Sequence, residues 1–192
     1  MPARVGLLGL GTNLSDRRSH LQDAVWALPR AGIEVTASSS VYDTDPVGEV
    51  LDQPTFLNAC VRVRTPLEPL ELLAEVKAIE HRLGRRQSAV PRHGPRVVDV
   101  DVLLLGDVAL DHPRLHLPHK QLLARRFVLV PALELDVAMA LADGHRLAEA
   151  LLALPASEGV RWAGPPLQIE APATVASTRG ERRRADVRRG PG

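Results

Sequence analysis

Alternating apolar and polar positions predict four strands along the chain. Residues 4–11 are mostly apolar and contain glycine at the end, residues 33–44 are β-prone, and residues 55–64 alternate between two faces. The fourth strand has one apolar face, made by Val98, Val100, Val102 and Leu104. Because successive side chains of a strand point to opposite faces, Asp99 and Asp101 lie together on the other face, with β-carbons about 7 Å apart.

Two longer segments carry apolar residues at the three- and four-residue spacing of amphipathic helices. The first follows Ser15 or Asp16, either of which is a suitable N-cap. The second is predicted to begin after Thr65 as the N-cap, with Glu68 completing a capping box. Two further short helices are expected nearer the C-terminus.

The order strand–helix–strand–strand–helix–strand predicts an α+β fold. It is typical of a ferredoxin-like α/β sandwich, a βαββαβ core in which helices pack on one face of a mainly antiparallel sheet. We assign residues 1–160 to this domain. Residues 165–192 are rich in Pro, Ala, Arg and Gly without periodicity, so we expect them to form a disordered tail.

The composition is that of an ordinary globular protein. The 192 residues are 45% hydrophobic and 24% charged with a net charge of +1, so no overall field favours nucleic acid or a membrane surface. The single cysteine, Cys60, excludes an internal disulfide and suits a reducing compartment. The N-terminal residues resemble neither a signal peptide nor a membrane span. We therefore expect a cytoplasmic protein without a membrane partner.

The two aspartates of the fourth strand have three possible explanations. A solvated edge strand is one, but the apolar run 102–105 argues against it. Ion pairs with nearby arginines are the second. The third is a divalent metal site, because Mg²⁺ prefers oxygen ligands and often takes only one or two carboxylates, with phosphate and water completing its octahedron. Two ions about 3.5–4 Å apart would offset the repulsion between the carboxylates.

An arginine-rich loop directly before this strand favours the metal hypothesis. Guanidinium groups bind phosphate, and the loop contains Arg85, Arg86, Arg92 and Arg96. Carboxylates beside phosphate-binding arginines are typical of phosphoryl transfer. The chain has no Walker A sequence, and its glycine turn at residues 9–14 lacks the third glycine of a dinucleotide-binding fingerprint.

A second candidate site lies on the strand at residues 55–64. Phe56 and Asn58 share one face, where a stacking plane beside an amide suits a flat heteroaromatic substrate. The plainer alternative is an aromatic residue that packs between the sheet and a helix. A nucleotide- or RNA-binding module without catalysis is the competing function, but its stacking surface needs more aromatic residues than the 3% found here.

Five segments in order resemble the 6-hydroxymethyl-7,8-dihydropterin pyrophosphokinase (HPPK) family over roughly residues 5–155. They are LGLGTNL, QPTFLNACV, RHGPRVVDVDVL, RLHLPH and RRFVLVPALEL. The resemblance implies a catalytic domain that transfers the terminal diphosphate of ATP to the hydroxymethyl oxygen of 6-hydroxymethyl-7,8-dihydropterin. The products would be AMP and the pterin diphosphate, in tetrahydrofolate biosynthesis. The enzyme is expected to be a monomer.

The resemblance also implies roles for individual residues. Two Mg²⁺ ions would be held by Asp99 and Asp101. The pterin would be bound by Thr44, Pro46, Val47, Phe56, Asn58 and Phe127. ATP would be bound by Glu80, Arg85, Arg92, Arg96, Arg114, His119 and Arg125. The catalytic set would be Arg85, Arg96, Asp99 and Asp101.

The chain departs from the family pattern at three places. His93 stands where many relatives carry tryptophan, and Gln87 and Ser88 replace a more basic stretch of the same loop. Lys77 occupies a helix position that is often glutamine. None of these changes removes the proposed metal ligands or the pterin-binding residues, but closure of the loop over the substrates is expected to differ.

Overall fold

A six-stranded antiparallel sheet forms the centre of the computed structural model, which describes residues 2–46, 52–84, 97–156 and 159–171. The strands are β1 Arg4–Thr12, β2 Glu34–Ser38, β3 Val41–Thr44, β4 Phe56–Thr65, β5 Asp99–Leu105, β6 Leu110–His112, β7 Leu115–Leu117 and β8 Val160–Gly164. The helices are α1 Arg17–Ala27, α2 Pro69–Arg82, α3 Arg126–Leu135 and α4 Leu147–Ala153. Strands β6 and β7 form a separate hairpin. No helix of the described ranges is long and apolar enough to cross a membrane.

The strand order confirms the predicted ferredoxin-like α+β fold. The strand order is β5-β1-β4-β3-β8. Strand β2 pairs with the same side of β4 as β3 does, but with a later part of β4. The β-prone stretch 33–44 therefore forms two strands rather than one. Between them, the backbone N–H of Ser39 donates to the carbonyl of Cys60, and the Ser39 hydroxyl accepts from the Cys60 N–H, so the connection stays bonded to β4.

Helices α1 and α2 cover one face of the sheet, as the apolar spacing predicts. Buried side chains of α1 and α2 pack against those of β1, β4 and β5 in one core. Asp16 is the N-cap of α1 and accepts from the Ser19 N–H. The helix ends in a 3-10 turn that closes at Gly32, whose φ of 75° is in the left-handed region that favours glycine.

The opposite face carries a second core, which corrects the prediction that helices pack on one face only. Leu7, Cys60 and Leu103 point away from α1 and α2 and meet apolar side chains of α3 and α4. The physical reason is the sequence of the strands themselves, because their second face is apolar near one end. Helix α3 begins at Arg126 and α4 at Leu147, close to where the two short helices are expected.

Helix α2 begins three residues later than predicted. Its N-cap is Glu68, and the capping box joins Glu68 to Glu71. Thr65 is fully buried as the last residue of β4, where its hydroxyl donates to the Gly32 carbonyl and accepts from the Leu67 N–H. The Thr65 side chain is therefore occupied and the predicted cap at this residue is wrong.

Strand β5 lies at the edge of the sheet, contrary to the argument that its apolar run excludes an edge position. The run is buried because the outer edge is covered: His119 N–H donates to the Leu103 carbonyl, and side chains of α2 bind the backbone of Val100. A bulge at Leu103 also shifts the alternation. Leu105 therefore joins the core under α1 and α2, whereas Leu104, which the alternation assigns to that core, packs on the other face.

The packed structure continues past the boundary that the composition predicts. Strand β8 pairs with β3, and the segment after it lies along α1. Leu167 is only 3% exposed, the Gln168 N–H donates to Gln22, and the indole of Trp26 donates to the Glu170 carbonyl. The predicted disorder applies to no part of residues 165–171, and residues 172–192 lie outside the described ranges.

Candidate active site

Asp99 and Asp101 lie side by side on β5, as the strand alternation predicts. Across the sheet they face Gly11 and Gly9 of β1. Gly11 in turn faces Asn58 of β4, so an aspartate, a glycine and an asparagine form one row across three strands. A β-carbon on Gly11 would lie 2.9 Å from the Asn58 Oδ1 atom. The missing side chain therefore leaves a shallow floor between the aspartates and Asn58.

The residues predicted to bind the pterin meet at the other end of this row. Asn58 Nδ2 donates to the Thr44 hydroxyl at 2.7 Å, and both side chains are buried. Phe56 stands opposite Thr44 in the strand register, so it shares their face of the sheet. Pro46 lies two residues after the end of β3, while Val47 lies outside the described residues. The structure thus brings together three of the predicted pterin contacts on two paired strands.

Phe127 lies in the first turn of α3, on the face of the sheet that carries Phe56. It packs against the second core, so its predicted contact with the pterin stays a prediction. The Arg125 guanidinium stands over its ring, 5.5 Å from the centroid, in a cation–π arrangement. This contact connects the predicted pterin residue Phe127 with a predicted ATP residue.

The two aspartates place like charges next to each other in a partly buried position. The side chains of Asp99 and Asp101 are 18% and 37% exposed. Partial removal from water raises the pKa of Asp101, and the charge of Asp99 raises it further, although cations nearby oppose the shift. Such a pair favours a positively charged neighbour. It is the donor set that Mg²⁺ accepts when phosphate and water supply the remaining ligands.

Glu80 is almost completely buried, at 1% exposure, behind the aspartate strand. One carboxylate oxygen accepts from the Val100 N–H at 2.7 Å and from the Lys77 ammonium at 2.7 Å. Burial raises the pKa of Glu80, with Lys77 acting against this and Asp99 adding to it. In this structure, Glu80 holds the outer edge of β5 against α2, so its predicted ATP contact stays a prediction.

Lys77 is the residue of this site that the sequence reasoning missed. Its Nζ atom donates to the Val100 carbonyl at 3.0 Å and lies 3.8 and 3.9 Å from the nearest oxygens of Asp99 and Asp101. Lys77 of α2 is thus an ion-pair partner of both aspartates within the described residues, while the arginines of the loop that the ion-pair explanation invoked lie outside them. Two signals in the sequence pointed to it, its i,i+3 spacing from Glu80 on a helix and its departure from the family pattern, but neither predicts contact with the aspartates.

His119 and Arg125 lie near the aspartates, and Arg125 supplies a permanent positive charge there. Asp101 interacts electrostatically with both, and burial lowers the pKa of His119 while the charge of Asp101 opposes that change. The backbone of His119 is fixed by its bond to Leu103, and its Nδ1 atom accepts from the Gln121 N–H. Arg114 is exposed at the turn of the β6–β7 hairpin, and its predicted role stays untested.

Several predicted site residues lie outside the described ranges. They are Val47, Arg85, Arg92 and Arg96, together with the departures Gln87, Ser88 and His93. Within the ranges that are described, no group of three or more His, Cys, Asp and Glu side chains is placed to hold a metal ion. The described donor set is thus the two aspartates.

Comparison with known proteins bears directly on this site. The family model for 7,8-dihydro-6-hydroxymethylpterin-pyrophosphokinase (HPPK) matches residues 7–137, which include both aspartates, Phe56 and Asn58. The chain belongs to the HPPK family. The resemblance predicted from the five sequence segments is thereby confirmed.

Curated relatives carry matching names. The 2-amino-4-hydroxy-6-hydroxymethyldihydropteridine pyrophosphokinase of Pseudomonas aeruginosa is 42% identical over 149 residues, which cover 77% of this chain and 90% of that protein. The mitochondrial folate synthesis bifunctional protein of Arabidopsis thaliana is 42% identical over 129 residues, 67% of this chain. This chain spans only 23% of that longer protein.

A solved HPPK-DHPS structure in complex with substrates shares the fold. It aligns with a TM-score of 0.62 and 13% identity, covering 80% of this chain and 43% of that one. At this identity the comparison supports the HPPK fold alone.

Proposed function

We propose that this chain transfers diphosphate from ATP to the hydroxymethyl group of 6-hydroxymethyl-7,8-dihydropterin, giving AMP and the pterin diphosphate in folate biosynthesis. Membership of the HPPK family supports pyrophosphokinase activity. The structural observation that carries the proposal is the row of Asp99, Gly11 and Asn58. It places candidate metal ligands and candidate pterin-binding residues on one face, separated by a single glycine.

Asp99 and Asp101 would hold the Mg²⁺ that ATP-dependent transfer generally requires, and we propose two ions. When bound, Mg²⁺ offsets the negative charge of the triphosphate and polarises its phosphoryl oxygens. The chain's own part is to keep two carboxylates adjacent in a partly desolvated place. The pairing of β5 with β1 and the bonds from α2 to Val100 fix that position.

The pterin would lie on the other side of Gly11. Asn58 and Thr44 present hydrogen-bonding groups that are already fixed by their bond to each other, and Phe56 offers a ring on the same face. Phe127 would contact the second face of the pterin. Groups that are ordered before binding lose little entropy when the substrate arrives, so this arrangement aligns the hydroxymethyl oxygen for attack on the β-phosphorus.

The triphosphate side of the site would use positive charge. His119 and Arg125 already interact with Asp101 in the described structure. Together with Glu80 and Arg114 they complete the described part of the proposed ATP site, to which Arg85, Arg92 and Arg96 are added from the sequence. Oriented cations stabilise the charge that moves to the α-phosphate as the bond breaks. We further propose, from the sequence, that the enzyme is a cytoplasmic monomer.

The test is AMP formation by the purified chain, with ATP, pterin and Mg²⁺ supplied or omitted one at a time. All three are expected to be required. The double substitution Asp99→Asn/Asp101→Asn should lower kcat/KM by about 10³-fold or more, because the metal ion stabilises the transition state by several kcal/mol. Asp23→Asn, at an exposed position of α1, is the matched control and should leave the rate unchanged. Undiminished AMP formation by the double variant would refute the metal assignment.

A further inference from the structure

Lys77 brings an ammonium group to the aspartate pair, where neither the metal role nor the pterin role needs one. Its Nζ atom donates to Glu80 at 2.7 Å and to the Val100 carbonyl at 3.0 Å, which uses two of its three N–H donors. The same atom lies 3.8 Å from Asp99 and 3.9 Å from Asp101. These are distances of an ion pair rather than of a hydrogen bond.

The ammonium is held in this position by a buried partner. Glu80 is 1% exposed, and a carboxylate there would lose its neighbouring cation if Lys77 moved into solvent. Removing one member of a buried ion pair is strongly unfavourable, so the lysine is anchored at the edge of the site. Because the Lys77 side chain is itself 33% exposed, its charge acts on the aspartates through a partly screened medium.

We propose that Lys77 is a positioning residue that acts as a built-in counter-ion of Asp99 and Asp101 and weakens the binding of divalent metal ions to the chain without ATP. This inference rests on the proposed metal role of the two aspartates. A divalent ion that approaches the carboxylates meets a fixed like charge, which opposes binding. The triphosphate adds several negative charges, which offset both the ion and the ammonium. Metal and nucleotide are therefore expected to bind together.

The measurement is the binding of Mn²⁺, a spectroscopic substitute for Mg²⁺ at oxygen ligands, to the full chain without nucleotide. The concentration of free Mn²⁺ is measured by electron paramagnetic resonance. The informative comparison is between Glu80→Gln, which keeps the ammonium, and Lys77→Gln/Glu80→Gln, which lacks it, because the two differ by that one positive charge and neither leaves a lone buried carboxylate. Lys77→Arg keeps the positive charge. Arg82→Gln removes one positive charge from an exposed position of the same helix and is the matched control.

The expected result is Mn²⁺ binding that is about tenfold tighter or more in Lys77→Gln/Glu80→Gln than in Glu80→Gln, with Lys77→Arg and Arg82→Gln close to the unaltered chain. Equal affinity in Glu80→Gln and the double variant would overturn the inference. An equal gain in Arg82→Gln would also overturn it, because the effect would then come from overall charge. Thermal unfolding of each variant in EDTA confirms that it is folded.

A further variant separates this inference from the function on which it rests. Asp99→Asn/Asp101→Asn should lose the Mn²⁺ site. If it binds Mn²⁺ like the unaltered chain, the metal assignment fails and the role of Lys77 fails with it. If binding is lost there but equal in Glu80→Gln and Lys77→Gln/Glu80→Gln, only the role of Lys77 is wrong.

Discussion

The face of the sheet under α1 and α2 is closed by apolar side chains, whereas the opposite face is covered by α3 and α4 near one end and carries polar groups at the other. Strand β1 shows the difference within four residues. Leu8 and Leu10 are buried in the core under the helices, while Gly9 and Gly11 face the aspartates. A single strand thus contributes large apolar side chains to one face and only backbone, closely approached by Leu103 and Asn58, to the other.

This division separates the residues that hold the fold from those proposed to carry the chemistry. Burial of apolar side chains under α1 and α2 supplies the driving force for folding. On the other face, two partly buried like charges lie beside a buried, hydrogen-bonded Asn58–Thr44 pair, and the repulsion between the charges costs stability. Substitutions on the face under α1 and α2 should therefore lower the stability of the fold. Substitutions on the polar face should mainly weaken the binding of metal or substrate.

The largest expected effect on stability is that of Leu8→Ala. Leu8 is completely buried in the core under the helices, so its truncation should lower the free energy of unfolding by about 2–5 kcal/mol. On the other face, Asp101→Asn should not lower it when measured in EDTA, because the raised pKa of Asp101 means that its charged form is disfavoured in the folded chain. Urea unfolding at neutral pH checks both. A larger loss in Asp101→Asn than in Leu8→Ala would contradict the proposed division.

An intermediate effect, on substrate binding, is expected for Gly11→Ala. The added β-carbon would lie 2.9 Å from Asn58 Oδ1 and would force a side chain that is held by Thr44 to shift. Pterin affinity should fall about tenfold, equivalent to 1.4 kcal/mol, with little change in unfolding.

Asn58→Ala supplies the control for this change through a double-mutant cycle. If the added methyl group acts through Asn58, Gly11→Ala should cause no further loss of pterin affinity when Asn58 is already alanine. Additive losses measured by calorimetric titration would show that Gly11 matters for another reason, such as direct contact with the substrate.

The sequence was sufficient where a feature depends on local periodicity. Period-two alternation placed Asp99 and Asp101 on one face of their strand and Phe56 with Asn58 on one face of another, and helical spacing located α1 and α2. Such patterns depend only on residues that are close together in the sequence. They report which side of an element is buried, which is enough for the fold class.

Features that depend on distant contacts were missed or misplaced. Lys77 lies more than twenty positions from the aspartates that it approaches, and no local pattern predicts that contact. The predicted N-cap of α2, Thr65, is instead bonded to Gly32 across the fold, a contact that no local pattern shows. The bulge at Leu103 and the covered edge of β5 are likewise set by the partners of the strand.

The smallest expected effect is on the ionisation of one side chain, Tyr42. This residue lies where α3 begins to cover the polar face of the sheet. Tyr42 shares this face with Asn58, but its hydroxyl donates to Glu134 of α3 at 3.0 Å, and Glu134 also accepts from the Ser40 N–H and hydroxyl. Burial, with the hydrogen bond and charge of Glu134, raises the pKa of Tyr42 to about 12.

Tyr42 is the single tyrosine of the chain, so absorbance at the tyrosinate band reports this group alone. The midpoint of ionisation should be about 12 in the folded chain. The unfolded chain ionises near pH 10 and the folded chain does not, so stability should fall as the pH rises from about 10 to about 12. Glu134→Gln should move the midpoint towards 10, since burial alone then raises the pKa, while Glu149→Gln, at an exposed position of α4, should not. An unaltered midpoint in Glu134→Gln would mean that α3 does not cover the sheet at this residue.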